Sequence, residues 1–153
     1  MSIHIDSARL NESLQKLNAI GSSATGMQRL AYSKEDIEGR RYITNLMMES
    51  DLEVRTDAAG NIIGRREGSV NGLPAIAMGS HTDTVPDGGK YDGALGVLGA
   101  IETIRTLNDA CLVTRHPIEV INFSNEEGTG DSRWLYGSRA MAGLLTEEDI
   151  GQD

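Results

Sequence analysis

Apolar residues recur at helical spacing in three parts of the chain, and each part is predicted to form a helix. The first helix lies within residues 6–20, where the apolar positions are Leu10, Leu14, Leu17 and Ile20. The second, residues 33–51, begins with a serine and two nearby acids, which suit a capped helix start and the helix dipole. The third covers residues 93–107. Its glycines fall three apart and predict a smooth stripe for close packing: Gly93, Gly96 and Gly99.

Shorter apolar runs between these helices predict strands. Residues 52–57 and 61–66 flank a turn that contains a glycine, and they predict a β-hairpin. Residues 73–81 and 116–127 are apolar runs that end in polar and acidic residues, which is typical of buried strands. A turn and a short helix are predicted over residues 136–145. The order of elements favours an α/β fold with a mostly parallel sheet and flanking helices.

Residues that could carry chemistry follow the two predicted buried strands. Residues 79–93, GSHTDTVPDGGKYDG, place one histidine and three aspartates in a glycine-rich loop, and Glu126 and Glu127 end the later strand. In sheets with parallel strands, ligands gather beyond the carboxyl ends of the strands. The two acidic segments are therefore predicted to converge on one crevice.

Length and composition narrow the class of protein. At 153 residues, with 39% apolar and 24% charged residues, the chain is predicted to form one globular domain with a substantial core. The net charge of −9 argues against nucleic-acid binding, because phosphate contacts need clustered lysine and arginine. No apolar run reaches the roughly 20 residues of a membrane helix, and the N-terminus resembles no targeting peptide, so a cytoplasmic location is expected. The single Cys111 excludes an intrachain disulfide and a cysteine-built zinc site.

Residues 79–93 fit a metal site better than they fit two other loop motifs. An EF-hand counted from Asp83 would place Val85 and Ala94 where it needs an oxygen ligand and a glutamate. A dinucleotide-binding loop is excluded, because no GxGxxG follows a strand here. A plain acidic turn that binds nothing remains an alternative on composition alone.

A metal site at this position would draw ligands from both acidic segments. His81 supplies an imidazole nitrogen, and Asp83, two residues further, is placed to fix the tautomer of that imidazole. Asp92 returns to the same region after the glycine-rich turn. Glu126 and Glu127 point apart in an extended segment, which favours one metal ligand and one proton carrier. Mixed histidine and carboxylate ligands suit zinc, manganese or cobalt, and a bridging carboxylate suits a pair of ions.

Several motifs resemble those of a known family and occur in the same order. The stretch GSHTDTVPDGGKYDGALGVLGAIE, with DAAGNIIGRREG before it and NFSNEEG and YGSRAMAG after it, resembles the carbamoylase and allantoate amidohydrolase branch of the two-metal aminoacylase-like amidohydrolases. The resemblance extends from about residue 20 to residue 153. It implies an α/β fold of the phosphorylase/hydrolase-like kind. The implied activity is hydrolysis of a C–N bond by metal-activated water in a small ureido substrate, either allantoate or an N-carbamoyl-L-amino acid.

The resemblance also implies a role for each site residue. His81, Asp92 and Glu127 correspond to metal ligands, and Asp92 to the carboxylate that bridges two ions and precedes a strained, often cis, peptide. Asp83 corresponds to the acid that orients the histidine, and Glu126 to the general base, so both are assigned to catalysis. The implied cofactor is two divalent ions, zinc or manganese or alternatively cobalt. Substrate-binding residues are not assigned.

The resemblance further predicts what the sequence lacks. Residues 1–153 correspond to the N-terminal part of the metal-binding catalytic domain, without its C-terminal part and without the lid and dimerisation domain through which the family forms dimers. Two further histidine ligands and the groups that bind the substrate carboxylate are expected beyond this sequence. His4 and His116 are predicted to be surface or structural histidines, and residues 128–138 depart from the family pattern where they would line the pocket. The alternative prediction is a truncated or split, inactive chain with part of the metal site.

Overall fold

A computed structural model describes residues 3–128 and 134–150 of the chain. Its elements are α1 (Ser7–Ala19), α2 (Lys34–Met48), β1 (Glu53–Thr56), β2 (Ile62–Arg66), β3 (Ile76–His81), α3 (Ala94–Asp109), β4 (Ile118–Phe123), α4 (Tyr136–Met141) and α5 (Glu147–Ile150). The three long helices, the hairpin, the two later strands and the short helix after them confirm the elements predicted from the hydrophobic pattern. The last single turn, α5, was not predicted.

Side-chain caps set the starts of the first two helices. The Asp6 carboxylate accepts hydrogen bonds of 3.0 Å from two backbone N–H groups in the first turn of α1. The Ser33 hydroxyl oxygen accepts a bond of 3.1 Å from the Asp36 N–H at the start of α2. These caps satisfy N–H groups that have no partner inside the helix. α3 begins differently, because its first flanking residue is Gly93, with φ of +62° and no side chain.

The strands form one mixed sheet in the order β1-β2-β4-β3. β1 pairs with β2 and β2 with β4 in antiparallel fashion, and β3 pairs with β4 in parallel. The α/β class is thus confirmed, whereas the sheet is mixed rather than mostly parallel. The short connection from Thr56 to Ile62 allows only the predicted antiparallel hairpin, and the sheet becomes mixed because β2 of that hairpin pairs antiparallel with β4.

The parallel pair positions the two acidic segments. β3 and β4 are connected through α3, which packs against β3 and completes a β-α-β unit. Their register places His81 opposite Phe123, so the two strands end level with one another. Residues 82–93 and 124–128 therefore begin side by side where the carboxyl ends of β3 and β4 meet.

One hydrophobic core joins the three long helices to the sheet. Its fully buried aliphatic residues include Leu17, Ile43, Val97, Ile101, Ile104 and Val120. Each such side chain stabilises the fold by about 1.5–3 kcal/mol when it leaves water. The core also encloses a charge, since Glu102 of α3 forms an ion pair of 2.8 Å with Arg9 of α1.

The predicted stripe of glycines on α3 is confirmed at two of its three positions. A Cβ atom at Gly96 would lie 2.7 Å from the Cβ of Ser80, so this glycine lets α3 approach β3 closely. A Cβ at Gly93 would lie 2.5 Å from the ring of His81. The prediction is wrong for Gly99, where a Cβ would meet no described atom within 4 Å. Close packing is thus concentrated at the start of α3, beside the acidic segments.

β3 forms one edge of the sheet. Ile76 at its start is 57% exposed, and in residues 3–128 and 134–150 no strand pairs with the outer side of β3. Among those same residues, no helix combines the length and the apolar character required to cross a membrane.

Candidate metal centre

Three of the predicted ligands meet where β3 and β4 end. His81 is the last residue of β3, Asp92 precedes α3, and Glu127 follows β4. One potential ligand atom of each lies within 4.8 Å of the corresponding atoms of the other two. The structure therefore brings together one imidazole and two carboxylates that are up to 46 positions apart in sequence.

Main-chain geometry fixes the orientation of the His81 imidazole. Its side chain is 12% exposed, and its Nδ1 lies 3.0 Å from the backbone carbonyl oxygen of Asp83. A carbonyl oxygen only accepts hydrogen bonds, so Nδ1 carries the proton and donates it. In a neutral imidazole this tautomer leaves the lone pair on Nε2, which is the form that binds a metal through Nε2.

The carbonyl oxygen of Asp83, and not its carboxylate as predicted, lies within hydrogen-bond distance of the His81 imidazole. The carboxylate Oδ1 of Asp83 is 3.7 Å from the His81 Nδ1, beyond hydrogen-bond distance, and the carbonyl oxygen takes that place. Its Oδ2 accepts a hydrogen bond of 3.1 Å from the backbone N–H of Glu127. Asp83, 2% exposed, thus links the two acidic segments. Its Oδ1 is buried and has no hydrogen-bond partner among the described residues.

Asp92 lies on the exposed side of the cluster, immediately before α3. The resemblance suggested a cis peptide after this residue, but none of the described peptide bonds is cis. The unusual backbone geometry resides in Gly93 instead, at φ +62° and ψ −50°. A glycine is required here both by this conformation and by the imidazole that lies against it.

The adjacent glutamates have separate surroundings. Glu127 joins the cluster, whereas both carboxylate oxygens of Glu126 lie 3.0 Å from the Ser138 hydroxyl, which donates to them. The Glu126 carbonyl also accepts a bond of 2.9 Å from the Leu135 N–H, which holds the start of α4 against this segment. The two carboxylates thus have different partners, and their division into one ligand and one proton carrier stays a prediction.

The charges of the cluster favour a cation. Burial raises the pKa of the Glu127 carboxyl above its usual range; His81 opposes the rise, and Asp92 adds to it. Carboxylates this close repel one another, and a divalent ion would relieve the repulsion. A donor set of one imidazole nitrogen and two carboxylates matches the ligands that zinc and manganese take in proteins. The residues present therefore fit a divalent ion.

The other predicted features lie away from the cluster or outside the described residues. The Nδ1 of His116 is 2.9 Å from the carbonyl oxygen of Pro74, and His4 is exposed near the N-terminus. Both therefore have the surface or structural character that was predicted. Residues 129–133, part of the segment expected to line the pocket, lie outside the described residues.

Sequence reasoning missed two residues that support the site. Ser138 lies in the motif YGSRAMAG, and its position in a short helix shortly after the two glutamates was a signal that could have indicated a contact with them. Arg29 is fully buried beside the loop that follows β3. Nothing in the local pattern of MQRLAYS distinguishes this arginine from a surface one.

The fold and the donor set define a candidate divalent-metal site on an α/β sheet, and comparison with known proteins identifies the family. Residues 77–153 match peptidase family M20/M25/M40. The chain belongs to this family, whose members generally bind divalent metal ions. This confirms the relationship that the motifs indicated.

The chain is similar to enzymes named for ureido substrates. It is 42% identical over 150 residues to an N-carbamoyl-L-amino-acid amidohydrolase of Pseudomonas sp. (strain NS671), covering 97% of this chain and 36% of that protein. It is 44% identical over 141 residues to a ureidoglycolate hydrolase of Oryza sativa subsp. japonica, covering 92% of this chain and 29% of that protein. The chain thus spans about a third of the length of these curated relatives.

Solved structures agree with the fold. A hydantoinase/carbamoylase family amidase from Burkholderia ambifaria superposes with a TM-score of 0.92 at 38% sequence identity. The match covers 96% of this chain and 36% of that one.

Proposed function

We propose that this chain carries the metal-binding part of an amidohydrolase that hydrolyses a C–N bond in a ureido or N-carbamoyl compound. The observation that carries the proposal is the meeting of His81, Asp92 and Glu127 at the level ends of β3 and β4. The names of the similar proteins support the substrate class, since N-carbamoyl amino acids and ureidoglycolate share the ureido group. Allantoate, which carries the same group, is a further candidate substrate.

His81, Asp92 and Glu127 are the proposed ligands, and Asp92 is the proposed bridge between two divalent ions. Zinc and manganese are the expected metals, with cobalt as an alternative. Ions bound there would supply Lewis-acid polarisation of the ureido carbonyl and would lower the pKa of a water molecule at the site. Asp83 is proposed to keep His81 in the Nδ1–H tautomer through its carbonyl oxygen.

Glu126 is proposed to carry the proton. Its carboxylate stands beside the ligand Glu127 and receives the Ser138 hydrogen bond, so it is held outside the ligand cluster. It would accept a proton from the attacking water and deliver it to the nitrogen that leaves as the C–N bond breaks. For an N-carbamoyl amino acid, one water is consumed in total, and the products are the free amine, ammonia and carbon dioxide.

Residues 1–153 are proposed to form the metal-binding portion of a catalytic domain that is longer in the similar proteins. Groups that bind the substrate carboxylate would then be contributed by chain outside this portion. A cytoplasmic location and a family-type dimer stay predictions from the sequence.

Metal analysis combined with an ammonia assay tests the proposal. The purified chain, dialysed against zinc or manganese, should retain the metal, and His81→Ala should abolish retention while His116→Ala should not. Ammonia release from N-carbamoyl amino acids and allantoate should fall roughly 100- to 10,000-fold in Glu126→Gln without loss of metal. Failure to retain any divalent metal would overturn the proposed site. Retained metal without ammonia release would show that residues 1–153 do not turn over substrate on their own and would favour the inactive alternative.

A further inference from the structure

Arg29 occupies an unusual place for an arginine. It lies in the connection between α1 and α2, yet its side chain is fully buried. Its Nε donates a hydrogen bond of 2.6 Å to the carbonyl oxygen of Thr82. Its Nη1 donates to the carbonyl oxygens of Leu17 and Ile20, at 3.1 and 2.8 Å. The guanidinium therefore ties the end of α1 to the loop that follows His81.

The backbone of Arg29 holds the same loop at a second point. Its N–H donates to the hydroxyl oxygen of Thr84 at 3.0 Å, and its carbonyl oxygen accepts the Thr84 N–H at 2.8 Å. Residues 82 and 84 are thus both bonded to Arg29, one to its side chain and one to its main chain. The two peptide groups on either side of the Asp83 α-carbon, 82–83 and 83–84, are therefore both held.

The peptide group between Asp83 and Thr84 carries the carbonyl oxygen that orients the imidazole. The Asp83 carbonyl accepts the His81 Nδ1–H, and the Asp83 carboxylate accepts the Glu127 N–H. The positive charge of Arg29 also attracts the Asp83 carboxylate. Arg29 is therefore connected to two proposed ligands through a single residue.

The rest of the fold accommodates this side chain at a cost. A Cβ at Gly39 of α2 would lie 2.7 Å from the Cδ of Arg29, so the helix carries a glycine where the arginine stem passes. Glycine inside a helix is unfavourable, and a buried guanidinium is unfavourable as well. The Nη2 of Arg29 has no hydrogen-bond partner among the described residues. If packing were the only requirement, a methionine or leucine would fill this space without the free-energy penalty of burying a charged group.

We propose that Arg29 is a positioning residue for the metal site: by holding residues 82–84 it fixes the Asp83 carbonyl, and through it the tautomer and orientation of His81. The inference rests on the proposed function only where it predicts a change in metal affinity. The tautomer of His81 is a property of the metal-free chain.

The test compares Arg29→Lys with Arg105→Lys in the full chain. Arg105 is half-buried and donates hydrogen bonds to the hydroxyls of Ser50 and Ser13, at 3.1 and 3.3 Å, and neither of these bonds involves residues 82–84. Lysine keeps the charge but cannot reach Thr82, Leu17 and Ile20 together, because it lacks the guanidinium fork. Long-range ¹H–¹⁵N spectra of the metal-free proteins report the His81 tautomer. His116, whose Nδ1 faces the Pro74 carbonyl, serves as the internal reference.

The wild type and Arg105→Lys should show His81 as a single Nδ1–H tautomer, and Arg29→Lys should show a mixture. Cobalt or zinc affinity should fall about 10- to 100-fold in Arg29→Lys and stay within about twofold in Arg105→Lys. Thr84→Val, which removes one acceptor and keeps the side-chain shape, should shift both readouts in the same direction and supports the proposal if Arg29→Lys does not fold. An unchanged tautomer and unchanged affinity in the folded variants overturn it. A changed tautomer in a chain that binds no metal supports the positioning role and overturns the proposed function instead.

Discussion

The imidazole of His81 lies directly against the α-carbon of Gly93. A Cβ atom at position 93 would be 2.5 Å from Cε1 and Nε2 and 2.6 Å from Nδ1 of the ring. The residue after one proposed ligand thus forms the surface on which another proposed ligand rests. The positive φ of Gly93 adds a second reason for glycine at this position.

Gly93→Ala should therefore displace His81 and weaken metal binding. Two variants separate the causes. Gly72→Ala introduces Cβ at a positive φ of +78° with no described atom within 4 Å, so it measures backbone strain alone, about 1 kcal/mol. Gly99→Ala adds Cβ to a helix in open space and should stabilise the protein by up to about 1 kcal/mol. Calorimetric zinc titrations should show weaker binding in Gly93→Ala only. Equal affinity in all three variants would contradict the proposed role of the contact.

Ser138→Ala should reduce catalysis while leaving metal binding intact. The hydroxyl donates to the Glu126 carboxylate at 3.0 Å, and Glu126 is the proposed proton carrier rather than a ligand. Loss of a supporting hydrogen bond of this kind is expected to lower ammonia release about 10- to 100-fold. Ser138→Thr keeps the hydroxyl and should recover most of the rate. Parallel loss of metal and activity in Ser138→Ala would place the serine in the metal site itself.

Asp36 gives the fold a measurable pH dependence. Burial raises the pKa of this carboxyl to about 6; the Tyr32 N–H bond and the charges of Arg40 and Arg29 lower the pKa, and Asp83 raises it further. Between the ordinary pKa of 3.8 and this value, the folded chain holds a proton that the unfolded chain releases. Stability from this group is therefore greatest below about pH 4 and falls as the pH rises to about 6.

Asp36→Asn should remove that dependence. The free energy of unfolding of Asp36→Asn relative to the wild type should rise by about 2.4 kcal/mol between pH 4 and pH 7, taking 1.36 kcal/mol per pKa unit and an unfolded carboxyl that is already partly ionised at pH 4. Urea unfolding at the two pH values measures it. Asp51→Asn, at an exposed position, controls for the removal of a carboxylate in general. A constant difference between Asp36→Asn and the wild type at both pH values would refute the assignment.

The ion pair between Arg9 and Glu102 should respond unequally to loss of either partner. Glu102 is 1% exposed, whereas Arg9 is 29% exposed and also contacts Asp109 at 2.9 Å. Arg9→Met leaves a buried carboxylate without its cation and should cost about 3–5 kcal/mol. Glu102→Gln leaves the arginine with Asp109 and water and should cost about 1–2 kcal/mol. Chemical denaturation measures the loss of unfolding free energy in each variant. A larger loss in Glu102→Gln than in Arg9→Met would contradict the argument from the burial of Glu102.

The sequence predicted that the proposed ligands lie close together. They follow two apolar runs, and the carboxyl ends of neighbouring parallel strands meet at the same end of a sheet. It was right that His81, Asp92 and Glu127 come together, and that Glu126 stands apart from Glu127. Residue spacing does not reveal which group of a residue turns inward. For this reason the sequence predicted the carboxylate of Asp83 as the partner of His81, whereas the structure shows the carbonyl oxygen in that position.

Other features depend on long-range packing that local periodicity does not encode. Arg29 is buried because α1, α2 and the loop after β3 close over it, and MQRLAYS alone does not indicate this. The mixed sheet follows from the pairing of β2 with β4, and no local pattern of the two strands records that choice.

The register that places His81 opposite Phe123 has a consequence for how the site comes into existence. A slip of a single residue between β3 and β4 would shift the strands by about 3.3 Å and turn every side chain of the slipped strand to the opposite face. Metal capture would then fail even though every ligand is present in the chain. If the proposed site binds a divalent ion, that binding reports the correct alignment of two strands that are separated by the whole of α3, and a metal-sensitive dye would time the completion of folding.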